Sequence, residues 1–184
     1  MDLQQLISKC KSNNQKAQEE LYHYYKEVLF SLSLKYCRNF EEAQDNLHNT
    51  FIEIFSNISQ YKGNGSFEGW MKRIAINKAI DSYKKTFQLS PITKDFHDDF
   101  QVDDADFETV SLDKLLSYIQ ELPNQYRLVF CLYELDDYSH REIAEMLSIS
   151  ESTSKSNLHR AKIILKEKII TTKSTKNYKI GNGK

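Results

Sequence analysis

Apolar residues recur three and four positions apart along most of this chain, which is the spacing of one face of an α-helix. The pattern forms two blocks, and each block predicts four helices. Between the blocks, from about Thr86 to Glu108, the helical spacing lapses and Pro91 interrupts it. In the second helix of the chain, the predicted inward positions are Ala17, Leu21, Tyr24, Val28, Leu32 and Tyr36. In the second block they include Leu112, Leu115, Leu116, Ile119, Tyr126, Val129, Phe130 and Tyr133.

Capping residues mark where several of these helices begin. Ser66 is placed to cap the fourth helix, Ser139 and Glu142 have the spacing of a capping box, and Ser150 can cap the last helix. The pattern therefore predicts an all-α protein of two small helical domains. The predicted divisions are a domain over 1–86, an acidic flexible linker over 87–109, a domain over 110–170 and a basic tail over 171–184. The tail lacks apolar spacing from Thr171 onward and is expected to be loose.

Composition supports this reading and excludes several other classes of protein. Five glycines and two prolines are too few for a turn-rich β-sandwich or barrel. There is neither a signal-peptide pattern nor an apolar run of roughly 18 residues, so we expect a cytoplasmic protein without membrane insertion. Cys10, Cys37 and Cys131 are widely separated within apolar helical patterns, which favours reduced core thiols over metal ligands. No metal or other cofactor is predicted.

Charge is segregated along the chain, although the net charge is only −1. One cationic group consists of Lys62, Lys72, Arg73, Lys78, Lys84, Lys85 and Lys94, and a second consists of Lys155, Arg160, Lys162, Lys166, Lys168, Lys173, Lys176, Lys179 and Lys184. The acidic residues Asp95, Asp98, Asp99, Asp103, Asp104, Asp106 and Glu108 lie between them. Two cationic surfaces with an anionic spacer predict two contacts with a polyanion. The spacer is either a tether extended by its own repulsion or a competitor of phosphate for both surfaces.

A short capped helix, a three-residue turn and a longer polar helix follow one another from Ser139 onward, an order typical of a helix-turn-helix. Ala144 is small enough to allow a close helix crossing. The last helix offers hydrogen-bonding groups to base edges and phosphates from Ser152, Thr153, Lys155, Ser156, Asn157, His159 and Arg160. A solvated helix face can have the same composition, but the cap and the turn favour duplex DNA binding.

The helix after Ser66 interleaves aromatic and cationic residues, a pattern typical of single-stranded nucleic-acid binding. The residues concerned are Phe67, Trp70, Lys72, Arg73, Asn77, Lys78, Tyr83, Lys84 and Lys85. Aromatic residues at helical spacing are more often core residues, and this alternative applies to Trp70 in particular. The preceding segment Asn64-Gly65-Ser66, which follows Lys62 and Gly63, could hold a flipped base, because glycine lets backbone groups approach closely.

These residues together resemble the extracytoplasmic-function sigma factors, the compact sigma subunits of bacterial RNA polymerase. The first stretch of resemblance covers residues 41–85 and rests on Glu41-Glu42-Ala43-Gln44-Asp45, Thr50-Phe51-Ile52, Tyr61-Lys62-Gly63, Phe67-Glu68-Gly69-Trp70 and Arg73-Ile74-Ala75-Ile76-Asn77. The second covers residues 122–168 and rests on Leu122-Pro123, Arg127, Val129-Phe130, Ser139, Glu142-Ile143-Ala144-Glu145-Met146-Leu147, Ile149-Ser150, Thr153, Lys155-Ser156 and Leu158-His159-Arg160-Ala161.

The resemblance implies a transcription initiation factor that binds core RNA polymerase and promoter DNA. The first domain would be sigma region 2: its third helix would dock on a coiled coil of the polymerase β′ subunit through Asp45, His48, Asn49, Ile52 and Phe55. The loop and helix of residues 62–85 would melt and read the minus-ten element, and the second domain, sigma region 4, would bind the minus-thirty-five element as duplex. The polymerase β flap and an anti-sigma factor are further partners that the family suggests. The chain departs from the family pattern at Asn46, His48, Asn49, Ser154 and Asn157.

Two other classes of function compete with this one. A polymerase-independent transcription regulator would use the same helix-turn-helix, but it has no evident use for a second, aromatic and cationic surface. An enzyme is the third class, with the segment Asp95-Phe96-His97-Asp98-Asp99 as candidate metal ligands. The segment has no accompanying second ligand cluster, and the chain has no phosphate-binding glycine loop. We therefore expect catalysis to belong to the polymerase.

Overall fold

Helices account for nearly all of the chain that a computed structural model describes, which is residues 2–87 and 111–181, with side chains for 2–86 and 111–172. No strand occurs in these two ranges, so the prediction of an all-α fold is confirmed. The chain divides into two units, Met1–Gln88 and Leu89–Lys184. The acidic residues of the predicted linker and the candidate metal segment at Asp95 to Asp99 lie outside the described residues.

Four helices form the first unit. They are α1 (Leu3–Lys11), α2 (Gln15–Tyr36), α3 (Phe40–Asn57) and α4 (Phe67–Phe87), with a 3-10 turn at Ile58–Gln60 after α3. Local caps fix two of the starts: the Asn14 side chain accepts a hydrogen bond from the backbone N–H of Ala17, and Asn39 accepts one from that of Glu42. The helices α2, α3 and α4 pack against one another, while α1 packs on α2 and on the 3-10 turn.

At two positions, α2 buries the residue one position later in the sequence than predicted. Tyr24 is 72% exposed and Val28 is 40% exposed, whereas Tyr25 and Leu29 are buried. Adjacent residues of a helix are rotated by about 100° from each other. Because α2 packs against α1, α3 and α4 together, its buried face is centred on Leu21, Tyr25 and Leu29, and the inward assignment of Tyr24 and Val28 is wrong.

A buried polar cluster ties the three long helices of the first unit together. Asn46 of α3 is 6% exposed, and its Nδ2 donates to the Ser33 hydroxyl of α2 at 3.0 Å and to the Ala75 carbonyl of α4 at 3.1 Å. The Ser33 hydroxyl donates in turn to the Leu29 carbonyl, and Thr50 Oγ1 donates to the Asn46 carbonyl. Asn46 is one of the positions where the chain departs from the family pattern, and its buried amide thus has hydrogen-bond partners on both neighbouring helices.

The second unit also has four helices in its described part. They are α5 (Leu112–Gln120), α6 (Asn124–Phe130), α7 (His140–Leu147) and α8 (Glu151–Gly181), and a π-helical turn at Cys131–Leu135 extends α6. Its core contains the fully buried side chains of Leu128, Val129, Leu132, Ile143, Leu165 and Ile169. Arg127 is 3% exposed, and its guanidinium donates to the Gln120 and Leu122 carbonyls and to Asn124 Oδ1. This side chain satisfies carbonyl groups at the end of α5.

Three expectations for the second unit are corrected. Leu112 is 79% exposed because it begins α5 before the helix reaches its neighbours, and Tyr133 is 38% exposed because the π-helical turn changes its direction. The third correction concerns the end of the chain, where α8 continues to Gly181 instead of loosening at Thr171. Two hydrogen bonds accompany this extension. Thr171 Oγ1 donates to the Glu167 carbonyl, and the Tyr118 hydroxyl and Thr172 Oγ1 share a hydrogen bond in which either can be the donor.

The three cysteines are buried thiols, as the sequence predicts, and burial is the main cause that raises the pKa of the Cys10 thiol. Within the described ranges, no group of three or more His, Cys, Asp or Glu side chains could hold a metal ion.

No helix in those ranges has the length and apolar character needed to cross a membrane.

The Asn46 cluster predicts an unequal response to two substitutions of similar size. Asn46→Asp places a carboxylate opposite the Ala75 carbonyl and removes both donated hydrogen bonds, so we expect it to lower the free energy of unfolding by about 3 kcal/mol at pH 7. Asn46→Leu removes the same bonds without burying a charge, and its expected loss is about 1 kcal/mol. Urea denaturation of the full chain measures both. The loss in Asn46→Asp should shrink as the pH falls and the carboxyl is protonated; equal losses in the two variants would contradict the assignment.

Candidate functional site

The loop between the 3-10 turn and α4 has two glycines in the left-handed region, Gly63 at φ +81° and Gly65 at φ +88°. A Cβ at either position would meet open space, so backbone conformation and not crowding calls for glycine there. Lys62, Asn64 and Ser66 are exposed. The loop thus presents to solvent the three side chains that were predicted to contact DNA.

Contacts on both sides hold this loop. The Tyr61 hydroxyl donates to the Gly65 carbonyl at 2.7 Å, and Lys11 Nζ of α1 donates to the Tyr61 carbonyl at 2.7 Å. At the other end, Ser66 Oγ accepts from the backbone N–H of Gly69 at 2.9 Å, which confirms Ser66 as the cap of α4. A Cβ at Gly69 would lie 2.8 Å from this hydroxyl, so the cap also depends on that glycine.

The aromatic residues of this region divide into a buried and a half-exposed set. Phe67 is 3% exposed and packs against Tyr25, Tyr61 and Trp70, with ring centroids 6.2, 5.0 and 5.5 Å away. Its predicted contact with DNA does not agree with this burial, because the ring is enclosed by its neighbours. Trp70 is half-buried, stacked on Phe67 and 5.6 Å from the ring of Tyr61. Trp70 therefore combines core packing with an accessible surface.

The polar residues of α4 lie on more than one side of the helix. Trp70, Arg73, Asn77 and Lys84 share one face by their spacing, and Arg73 and Asn77 are exposed. Lys72 points elsewhere and forms an ion pair with Glu68 at 2.6 Å. Lys78 forms an ion pair at 2.8 Å with Glu53, a residue of α3. The structure thus brings part of the predicted set together and places two of its lysines beside carboxylates.

Five candidate residues on α3 share a face directed away from the buried cluster. Asp45, His48, Asn49 and Ile52 are exposed, and Phe55 is half-buried. Ile52 is 55% exposed, an unusual degree for an isoleucine, and it lies near the middle of this set. The opposite side of the helix, which includes Ala43, Asn46, Thr50 and Ile54, is buried. An exposed helix face with an apolar centre is suited to contact with another protein.

The second unit contains the expected helix-turn-helix. Ser139 and Glu142 form both hydrogen bonds of a capping box at the start of α7. Ser148 ends α7 in the left-handed conformation at φ 57°, and the backbone N–H of Ile149 donates to the Ala144 carbonyl at 3.0 Å. Ser150 Oγ then accepts from the backbone N–H of Thr153 at 3.0 Å and caps α8. Both predicted caps are confirmed.

The candidate DNA-contacting residues of α8 are exposed or half-buried with one exception. Ser152, Lys155, Ser156 and His159 are exposed, and Thr153 and Arg160 are half-buried. Asn157 is 3% exposed and its Nδ2 atom has no hydrogen-bond partner among the described residues. It lies three residues after Ser154 and four before Ala161, which are both fully buried, so spacing places it on the inward face. Its predicted contact with DNA does not agree with this position.

Polar groups also connect α7 with α8. His140 Nδ1 lies 2.9 Å from Ser154 Oγ, and the imidazole stacks on Tyr133 with ring centroids 4.4 Å apart. Burial lowers the pKa of His140, nearby Lys155 lowers it further, and Glu151 opposes them by raising it. The folded protein therefore favours the neutral imidazole more than the unfolded chain does.

Several residues of these sites were not identified from the sequence. The pairing of Glu68 with Lys72 has a local signal, since the two residues are four apart on one helix. The contacts of Lys11 with Tyr61 and of Glu53 with Lys78 join residues far apart in the sequence, so no local pattern could have indicated them.

Comparison with known proteins gives matches to both units. The family model for Sigma-70 region 2 matches residues 21–86, and the model for Sigma-70, region 4 matches residues 112–165. The ECF RNA polymerase sigma factor SigW of Bacillus subtilis (strain 168) is 28% identical over 182 residues, covering 92% of this chain and 97% of the relative. The ECF RNA polymerase sigma factor SigM of the same organism is 28% identical over 151 residues, covering 80% and 92%.

A solved structure shows a similar fold. It is that of the sigma factor RpoE in complex with the anti-sigma factor NepR from Bartonella quintana, with a TM-score of 0.53 and 14% identity, covering 83% of this chain and 96% of that one.

The burial of Asn157 predicts that its removal leaves DNA binding intact. In Asn157→Leu the unpartnered Nδ2 is replaced by an apolar group, so we expect the free energy of unfolding to stay the same or to rise by about 1 kcal/mol. Binding to duplex DNA should be unchanged. Lys155→Ala on the exposed side of α8 is the matched variant, and it should weaken binding. A loss of affinity in Asn157→Leu as large as that in Lys155→Ala would restore Asn157 to the contact surface; fluorescence anisotropy measures both.

The environment of His140 predicts a loss of stability in mild acid. Because the pKa of His140 is lowered from the ordinary 6.5 on folding, the unfolded chain takes up the proton first. Stability is therefore lost as the pH falls below about 6.5 toward the lower pKa of the folded state. The melting temperature of the full chain should fall more steeply between pH 7.5 and 5.5 than that of His140→Gln, which lacks this titration. Parallel curves for the two proteins would contradict the expectation.

Proposed function

Because the chain belongs to the extracytoplasmic-function group of the sigma-70 family, we propose that its two units read two separate promoter elements. The protein binds core RNA polymerase and directs promoter recognition and transcription initiation. Within that function, we assign the loop of residues 62–66 and α4 to the melted minus-ten element, and α8 to the minus-thirty-five element as duplex.

The observation that carries this assignment is the difference in chemistry between the two surfaces. On α4, the half-buried ring of Trp70 lies beside exposed Arg73 and Asn77, a combination that suits unpaired bases with their phosphates. On α8, exposed Lys155, Ser156 and His159 follow a capped turn, a combination that suits the major groove of duplex DNA. A factor that opens DNA needs both kinds of surface, whereas a duplex-binding regulator needs only the second.

The α3 face is the surface that we propose for the polymerase β′ coiled coil. Its exposed polar residues surround Ile52, and a partner that covers this side chain removes apolar surface from water. We assign Asp45, His48, Asn49, Ile52 and Phe55 to this contact. The polymerase β flap is proposed as the partner of the second unit, and an anti-sigma factor as a regulator of the whole protein. Catalysis of RNA synthesis is assigned to the polymerase, and the sigma factor acts by binding.

One experiment separates the three surfaces, with single variants assayed on purified core polymerase. We expect Ile52→Asp to reduce retention on core polymerase by about tenfold or more, because a carboxylate would be buried at the contact. Asn77→Ala should retain core binding and lose opening of a duplex promoter. Arg160→Ala should also retain core binding and weaken duplex promoter binding by about 1–3 kcal/mol if it reads a base, and by less if it meets only phosphate.

The control for these variants is Tyr24→Phe, on an exposed side of α2, which should behave as wild type in every assay. Retention on core polymerase, permanganate footprinting and run-off transcription are the three measurements. Wild-type protein that binds duplex DNA but is not retained on core polymerase would favour the polymerase-independent regulator and contradict the proposal.

A further inference from the structure

We propose that Tyr61 and Lys11 are positioning residues, which hold the loop of residues 62–66 in its base-binding shape before DNA arrives. The inference rests on the proposed function of that loop and names the two side chains on which its geometry depends. Neither side chain is among those assigned to contact DNA. Tyr61 is 7% exposed, and Lys11 belongs to α1, which is separated from the loop by two long helices in the sequence.

A hydrogen bond crosses the loop. The Tyr61 hydroxyl donates to the Gly65 carbonyl at 2.7 Å, so the residue that opens the loop is joined to the residue near its end. Since the C=O and N–H of a trans peptide point in opposite directions, fixing the Gly65 carbonyl also fixes the direction of the Ser66 N–H, away from the Tyr61 ring. The exposed Asn64 lies inside the closed segment.

The Tyr61 ring is held in place by packing against α4. Its centroid lies 5.0 Å from that of Phe67 and 5.6 Å from that of Trp70, both on the first turn of α4. The hydroxyl is therefore carried by a ring that is packed against the helix that the loop precedes. Tyr61 thus contacts both the loop, through its hydroxyl, and the first turn of α4, through its ring. It thereby positions the loop side chains relative to the exposed surface of Trp70.

A residue of α1 also contacts the start of the loop. Lys11 Nζ donates to the Tyr61 carbonyl at 2.7 Å and lies 6.0 Å from the centroid of the Tyr61 ring. An ammonium group that donates to a carbonyl forms a stronger hydrogen bond than a neutral donor does. This contact holds the main chain at the start of the loop, while the hydroxyl holds it at Gly65.

The need for two such contacts follows from the glycines. Gly63 and Gly65 both have positive φ, and a Cβ at either position would meet open space, so crowding of the glycines does not impose these conformations. A glycine explores more conformations than any other residue, so a free loop of this sequence would lose conformational entropy each time it closed on a base. A loop that is already ordered avoids that loss and binds more tightly.

The test uses holoenzyme reconstituted from core polymerase and the full chain, with Tyr61→Phe and Lys11→Met. Tyr61→Phe keeps the packed ring and removes only the hydroxyl, and Lys11→Met keeps the length of the side chain and removes the ammonium. Tyr24→Phe is the matched control, because it removes an exposed hydroxyl from the same unit. The probe is a pre-melted fork, with the sequence of a duplex that the wild-type holoenzyme transcribes and with one abasic site placed in turn at each unpaired position.

With wild-type holoenzyme, an abasic site at the position that the loop holds should reduce affinity by about tenfold. In Tyr61→Phe the intact fork should bind about three- to tenfold more weakly, and the penalty for that abasic site should fall toward onefold. Lys11→Met should act in the same direction with a smaller change. The double variant should lose less than the product of the two, since both contacts hold one loop.

A purely structural role would have a different signature. It would lower the melting temperature or the affinity for core polymerase and leave the penalty for each abasic site as in wild type, and that result would overturn the inference. An unchanged penalty together with unchanged fork affinity in Tyr61→Phe would overturn it as well. Failure of the wild-type holoenzyme to bind the fork at all would instead contradict the proposed function, so the two failures are distinguishable.

Discussion

The buried amide of Asn46 is the constraint on which the geometry of the first unit depends. Its two donated hydrogen bonds reach α2 and α4 from α3, so a rotation or a slide of α3 by one residue would leave the amide unsatisfied in the interior. Apolar contacts alone tolerate such shifts, because they have no direction. The cluster therefore fixes the angle between the side of α3 that we assign to the polymerase and the side of α4 that we assign to DNA, which lie on the outer surfaces of the helices that it joins.

Polar groups have a similar place in the second unit, but they are less completely satisfied. Arg127 satisfies carbonyl groups where α5 meets α6, and the contact of His140 with Ser154 joins α7 to α8. Asn157, only three residues from Ser154, is buried with an Nδ2 atom that has no partner in the described part of the chain. The contact of His140 with Ser154 thus adds a directional interaction to the apolar packing between the two helices of the helix-turn-helix.

Much of the fold could be predicted from the sequence because helices and their caps are local. The spacing of apolar residues placed the helices, and Ser66, Ser139 and Ser150 are caps as predicted. Errors arose where packing between helices decides the result. Tyr24 and Tyr25 are both good candidates for an inward position until the direction of α3 and α4 is known. Phe67 and Asn157 belong to residue types that bind nucleic acid, but tertiary contacts bury them, and the assignment of individual contacts remains a proposal.

Two lysines of α4 form ion pairs with carboxylates, so the helix presents less net positive charge than its sequence indicates. Lys78 lies beside Glu53 and Lys72 beside Glu68, so each ammonium already has an anionic partner in the folded protein. Affinity of a protein for DNA depends on ionic strength through the counterions that its phosphate contacts release. A lysine that must leave a carboxylate to reach a phosphate exchanges one ion pair for another, so its net electrostatic gain is smaller. We therefore expect the attraction of this helix to arbitrary DNA to be moderated, with a larger share of the binding free energy from contacts with particular bases.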